Sequence, residues 1–471
     1  MNSFDQHASS RREFLKHSGR IAAATAVAGG ALPRVHAAED NTLQVALIGC
    51  GFRGTGAVAN ALAVPRGPMK LVAVADVFPH RIEASLHGLR QNVEAQYDRL
   101  SHAGYEQQID VPEERRFVGF DGYQKAMDCL KPGDVAILAT PPAFRWAHFE
   151  YAVAKGLHVF MEKPVTADGP TSRRMLELGQ QAAAKSLKVA VGLMSRHARN
   201  LQQLHQRVRD GEIGDILLMR AYRMHAELGS AFSERWPGSP SELLWQVQRF
   251  HSFIWASGGA FSDFYIHLID HCCWMKDAWP VKAQGLGGRH YRGNWVDQNF
   301  DSYAVEYTFA DGAKLYLNGR CMPGAHFNFS SQLHGTKGCA VASRANDCGG
   351  PSSTYEGHTF ERAQRIWQSE TPRGEASPYQ NHWNSLVDAI RDDRPFDELE
   401  YGVMASAVSS LGRMAAHTAR EITLDEVLNS PEEYAPGLDR WTMDSPAPVQ
   451  MKDGQYPVPM PGIVTDREYP M

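Results

Sequence analysis

Leu43-Gln44-Val45-Ala46-Leu47-Ile48-Gly49-Cys50-Gly51-Phe52-Arg53-Gly54-Thr55-Gly56 joins a buried strand to a glycine-rich turn and the opening of a helix. Val45 to Ile48 is the apolar run, and Gly49, Gly51 and Gly54 fall in the G-x-G-x-x-G spacing that lets backbone amides approach a pyrophosphate. The following helix would aim its N-terminus at the phosphates, with Phe52 and Arg53 beside them. Spacing alone also fits an ordinary tight turn. The next strand, Lys70 to Ala75, decides between the two, because it ends in Asp76, about 20 residues past the last glycine, where an acid binds the adenosine ribose. That carboxylate favours NAD over NADP: it accepts both ribose hydroxyl protons and repels a 2′-phosphate, a repulsion Arg53 and Arg81 could partly offset. The competing reading of Asp76 is a helix cap.

Upstream, Ser10-Arg11-Arg12-Glu13-Phe14-Leu15-Lys16 precedes an alanine-rich run from Ile21 to Leu32 and then Val35-His36-Ala37, a small-residue cleavage pattern. This resembles a twin-arginine export signal over residues 1–38, cut near Ala37 or Ala38. The run is short for a bilayer span, so no stable membrane insertion is expected after cleavage. The expected location is periplasmic or otherwise exported, in a bacterium, with the export machinery as a partner. A net charge of −5 over 471 residues leaves no electrostatic footprint for nucleic acid. Seven cysteines, an odd number without C-x-x-C spacing, indicate neither a zinc cage nor a disulfide framework.

Downstream, Asp134 to Thr140 is an apolar strand stopped by Pro141-Pro142, so the chain must turn over the carboxyl edge of the sheet, where ligands bind. Phe144 to Lys155 has helical spacing, Gly156 closes it, and His158 to Met161 is another strand. Strand, helix, strand at this rhythm predicts an α/β fold with a doubly wound parallel sheet.

That strand runs into Glu162-Lys163-Pro164, and from these residues together the chain resembles the Gfo/Idh/MocA oxidoreductases. The likeness takes in the glycine turn, Asp76, Ala139-Thr140-Pro141-Pro142, Glu162-Lys163-Pro164, Gly258-Gly259 with Asp263, His267 and Asp270, Asp388 to Arg391 and Ser409 to Met414. It implies a Rossmann domain over 40–165, with Thr140, Pro141, Glu162 and Lys163 at the cofactor. A C-terminal α+β domain with an open, mainly antiparallel sheet is implied over 166–378, often used to form homo-oligomers. Helices over 379–430 would return to the Rossmann domain. Lys163, at the carboxyl end of a central strand, would lie where the nicotinamide sits and could stabilise a developing alkoxide. Its competing reading is a surface lysine paired with Glu162.

In the second domain, Ser302 to Phe309 and Lys314 to Asn318 flank Asp311-Gly312, a hairpin signal. If Ala260 onward is helical, Asp263, His267, Asp270, His271 and Trp274 share one face, a polar stripe that must meet ligand, water or charge. The resemblance makes Lys163, His267 and Asp263 the catalytic set. His267 would exchange the proton of the reacting hydroxyl and Asp263 would orient it. Arg196, Asp270 and His271 are the further substrate candidates. Two histidines with two carboxylates could also bind zinc, but no His-Glu-x-x-His is present, so no metal ligand is assigned; a satisfied buried Asp-His pair is the other alternative. Six of the ten tryptophans fall between Trp236 and Trp295, as a stacking platform for sugar rings or as core. From Pro436 onward seven prolines predict a non-periodic arm over 431–471, laid on its own subunit or a neighbour, or else a disordered tail.

Three functions fit. One is hydride transfer between a sugar, glycoside or cyclic polyol and tightly bound NAD(P), net oxidation being balanced by a second substrate, with exported glucose-fructose oxidoreductase as the family precedent. Another is a redox-neutral glycosidase resembling glycoside hydrolase family 109. The third is an inactive cofactor-binding protein, against which Lys163, Asp263 and His267 together speak.

Overall fold

The computed structural model describes residues 41–90, 105–290 and 292–470, so the export signal expected over residues 1–38 lies outside the described residues. Six parallel strands form the first sheet: β1 (Leu43–Ile48), β2 (Met69–Asp76), β3 (Arg116–Val118), β4 (Val135–Leu138), β5 (His158–Met161) and β6 (Val189–Val191). Their order, β3-β2-β1-β4-β5-β6, reverses direction at β1/β4, which opens a crevice above the carboxyl ends of those two strands. Apolar runs such as Leu-Gln-Val-Ala-Leu-Ile suit strands that are covered on both faces. β6 pairs with β5, so this domain runs past the boundary expected at residue 165. A helical segment, Gly169–Ala184, crosses over before the sheet closes.

The second sheet has nine strands: β7 (Ile216–His225), β8 (Lys282–Gly288), β9 (Ser302–Thr308), β10 (Lys314–Cys321), β11 (Asn328–Gly335), β12 (Gly338–Ser343), β13 (Ser353–Glu356), β14 (Arg365–Gln368) and β15 (Ile422–Thr423). Their order is β14-β13-β12-β11-β7-β10-β9-β8-β15, antiparallel except where β7 meets β10. The expected helix of the polar stripe is Gly259–Lys276, here the site helix, and it packs on β7, β10 and β11.

Of the two helices expected to return to the first domain, Pro378–Arg391 does so, against the helix Phe52–Leu62. Leu399–Thr418 instead lies between the domains. A Cβ on its Gly402 would stand 2.8 Å from Val191 of β6, and one on Gly412 would stand 1.9 Å from the Tyr307 hydroxyl of β9. Small residues at these two points let one helix touch both sheets. Residues 431–470 carry one short 3-10 turn, Leu438–Arg440, and lie on their own subunit: Gln246 donates to the Val449 carbonyl and Gln298 Nε2 to the Pro457 carbonyl at 2.9 Å.

Two imidazoles are buried in these domains, His148 at the cleft wall and His271 beneath the second sheet. His148 lies against Tyr123, with Thr140 Oγ1 3.2 Å from its Nδ1; the Nδ1 of fully buried His271 is 3.2 Å from Ser331 Oγ on β11. Burial pushes both down to about 3. The unfolded chain therefore takes up protons below about pH 6.5 that the folded chain refuses until about pH 3, so stability falls as pH drops through that window. Each group contributes a slope of about 1.4 kcal/mol per pH unit. Urea unfolding between pH 6 and 4 should show His271→Asn flattening the dependence by about that amount; slopes equal to the parent's would contradict the assignment.

Candidate active site

A cleft of about 1320 Å³ runs along the carboxyl ends of the first sheet and is closed on its far side by β7, the site helix and the 346–349 loop. The glycine turn forms one wall. Gly49 has φ +97°, and a Cβ there would meet the Ala139 carbonyl carbon at 2.7 Å; one on Gly54 would meet the Gly49 oxygen at 2.0 Å. Gly51 differs, since its missing Cβ points into open space, where a dinucleotide could approach the backbone. Gly51 also caps the helix Phe52–Leu62 without any side-chain cap bond. Asp76 accepts from the Cys50 amide at 2.7 Å and the Phe78 amide at 2.9 Å, which fixes the carboxylate at the crevice. Burial raises its pKa, and those two bonds oppose the rise. These features fit the adenosine and phosphate groups of NAD. Arg53 does not stand ready for a 2′-phosphate: its Nη2 pairs with Glu162 Oε1 at 2.7 Å, and it stacks 4.2 Å over the Tyr379 ring.

Lys163 leaves β5 toward the second domain. Its Nζ donates to the Asp263 carbonyl at 2.6 Å and to Asp263 Oδ2 at 3.3 Å, so the surface pairing with Glu162 is replaced by a contact across the domains. Asp263 Oδ2 also meets His251 Nε2 at 3.1 Å. Burial would raise the Asp263 pKa, but Lys163 and His251 outweigh it and hold the carboxyl well below the usual range. One turn on, His267 lines the same cleft, and its buried Nδ1 has no hydrogen-bond partner. Burial, with Lys163 and Arg223 nearby, drives its pKa far down, so the ring is neutral and one of its nitrogens can accept a hydrogen bond. Below Thr140 and Pro141, both in the cleft wall, Arg145 is fully buried and donates to the carbonyls of Leu138 and Thr140. Burial lowers its pKa to about 10, which still leaves a cation under the floor at neutral pH.

Three further candidates lie elsewhere. Arg196 donates three times to Asp270, at 2.7, 3.1 and 3.2 Å, and that pair, like His271, does not line the cleft. The stripe stays on one face, but after His267 it runs under the domain instead of along the opening. The groups of a zinc site therefore do not converge there. Among the described residues, the one set of three metal-capable groups is His197, His382 and Glu398. The two Nε2 atoms bond separate oxygens of Glu398, at 2.8 and 2.6 Å, and the rings stack at 4.0 Å and 14°, so the three groups satisfy one another, away from the cleft. No tryptophan lines the cleft; Trp255 and Trp383 are among the largest fully buried side chains. Sequence reasoning missed His251, Arg223, Tyr379 and Asp347, all cleft residues. Asp347 is notable, because burial raises its pKa and its buried Oδ1 lacks a partner. Only chain folding brings these groups in; the sole local hint was His251, twelve residues before Asp263.

The chain shares its fold with aldose-aldose oxidoreductase from Caulobacter crescentus, solved with glycerol: TM-score 0.59, 16% identity, 81% of this chain and 99% of that one. Scyllo-inositol dehydrogenase from Lactobacillus casei, solved with NAD(H) and scyllo-inositol, aligns at TM-score 0.55 and 20% identity over 82% of this chain and 99% of its own. Among curated proteins, the rhizopine catabolism protein MocA of Rhizobium meliloti is 23% identical over 227 residues, 48% of this chain and 64% of that protein, just under two thirds of its length. Residues 43–193 match the oxidoreductase family's NAD-binding Rossmann fold and residues 201–341 the GFO/IDH/MocA C-terminal domain. The two matches together span more than half the chain, which belongs to the GFO/IDH/MocA oxidoreductase family.

Proposed function

We propose that this protein is an NAD-dependent oxidoreductase acting on a CH–OH group of a sugar, glycoside or cyclic polyol. The observation that carries the reading is Lys163 held on Asp263 beside a neutral His267, in the cleft that the glycine turn opens. Lys163 has three donor hydrogens, of which Asp263 takes two, leaving one for a substrate hydroxyl. As charge develops on that oxygen, the ammonium stabilises it, while His267 accepts the hydroxyl proton. Bound NAD would supply the hydride acceptor. Asp263 keeps both the amine and His251 in place.

The relatives' substrates support the class: inositols for the dehydrogenases of Corynebacterium glutamicum and Lactobacillus casei, aldoses for the Caulobacter enzyme. A second reading, redox-neutral cleavage of a glycoside, is favoured by Asp347, a cleft carboxyl whose pKa burial raises and whose buried Oδ1 has no protein partner, the disposition of a proton donor to a departing glycosidic oxygen. The Arg11-Arg12 signal supports export by the twin-arginine route, with cofactor loaded first and retained. The open sheet carries exposed Tyr316 and Leu286, which suits a homo-oligomer.

Lys163→Met should keep fold and cofactor but lower turnover about 10²-fold, the scale for one transition-state donor of ~3 kcal/mol; unchanged turnover at saturating substrate would remove Lys163 from the chemistry. Protein purified without added cofactor and then denatured should release close to one nicotinamide per chain, and dialysed enzyme should turn over without added NAD when given a glycoside, or a sugar to oxidise together with a second sugar that takes the hydride back from the bound cofactor. Near-zero nicotinamide, with activity that depends on added NAD, would refute tight binding.

A further inference from the structure

Glu468, three residues before the end of the chain, has a carboxylate with no exposed surface. Arg413 Nε reaches Oε1 at 2.9 Å and Oε2 at 3.1 Å, and Nη2 reaches Oε2 at 2.9 Å. His417 Nδ1 adds a contact at 2.9 Å, and the Tyr434 hydroxyl also donates to Oε2. A carboxylate so surrounded, on an arm whose one regular element is a short 3-10 turn, is an anchor for something else. The rest of Arg413 shows what is anchored. Its Nη1 donates to Ser262 Oγ at 2.7 Å and to the Gly258 carbonyl at 3.4 Å, and its Nη2 to the Ala167 carbonyl at 3.0 Å. Ser262 immediately precedes Asp263, and Ala167 lies four residues after Lys163.

The guanidinium therefore ties together the segments that carry the two halves of the Lys163–Asp263 contact, one from each domain. Gly258 and Gly259, with φ of +76° and +69°, form the entry to the site helix, and a Cβ on Gly258 would stand 2.2 Å from Arg413 Nη1. Consecutive glycines at that entry give the backbone freedom to rotate, so the position of Asp263 needs an external stop. We infer that Glu468 is a positioning residue: through Arg413, the C-terminal arm sets the site helix so that Asp263 meets Lys163.

Two variants test this, one at each end of the chain of contacts. Glu468→Gln keeps the side chain's size and removes the charge; Ser262→Ala removes the Nη1 contact and leaves the buried ion pair whole. Hydrogen–deuterium exchange should rise over 258–263 and 164–168 in both variants, ahead of the rest of the protein. For kcat per bound nicotinamide, a tenfold or greater loss is expected in Glu468→Gln and a threefold or greater loss in Ser262→Ala, each with KM within twofold of the parent. The kcat arm rests on the proposed chemistry, whereas exchange needs no turnover, so loss of one does not mask the other. If Glu468→Gln does not fold, Ser262→Ala decides. Exchange in Ser262→Ala indistinguishable from the parent over 258–263 would overturn the inference, as would a uniform rise across Glu468→Gln.

Discussion

The contact between Lys163 and Asp263 is the constraint on which the site depends. One domain delivers the amine at the end of β5 and the other delivers the carboxylate on the site helix, 100 residues later. With side-chain exposures of 13% and 9%, both charges have lost most of their water. Such a pair contributes little net stability, because desolvation consumes much of the attraction. Its value is orientation: it aims one remaining N–H of Lys163 and fixes the helix face from which His267 projects. The helix Leu399–Thr418 packs on the site helix and on elements of both domains around that contact.

Buried charges elsewhere are arranged differently. Arg196 with Asp270, Arg413 with Glu468, and Glu398 with His197 and His382 are networks in which the carboxylate oxygens are met by donors. They brace segments distant in sequence. In the cleft, by contrast, His267 Nδ1 and Asp347 Oδ1 are buried without partners. Native proteins rarely leave such atoms unpaired, so where they face a cavity they mark the place of a ligand or ordered water.

Much of this was legible in the sequence because the first domain signals locally. A glycine turn after an apolar strand, an acid at the end of β2 and a lysine at the end of β5 each depend on a few neighbouring residues, and each stands in the cleft wall. The polar stripe was read correctly as one helical face but only its first turn meets the opening; Asp270 satisfies itself with Arg196, a partner 74 residues away that no periodicity reveals. Arg223 and Asp347 were invisible for the same reason, arriving from a strand and a loop, and His251, on the short 3-10 turn Phe250–Ser252, left only its nearness to Asp263 as a hint. The tryptophans stayed open between sugar platform and core because density along the chain says nothing about which face a ring covers; Trp255 fills core between the elements. The boundary at residue 165 fell short because β6 is only three residues long and returns after a full helix.

The central claim is that hydride passes between a carbohydrate carbon and nicotinamide held in this cleft. Rapid mixing of the nicotinamide-loaded protein with sugars, glycosides and cyclic polyols, each with hydrogen or deuterium at the reacting carbon, reads it directly through the absorbance of reduced nicotinamide. The account predicts reduction within a single turnover by at least one compound, slowed several-fold by deuterium. Loaded protein whose nicotinamide stays oxidised with every compound, while it still binds them, would contradict it.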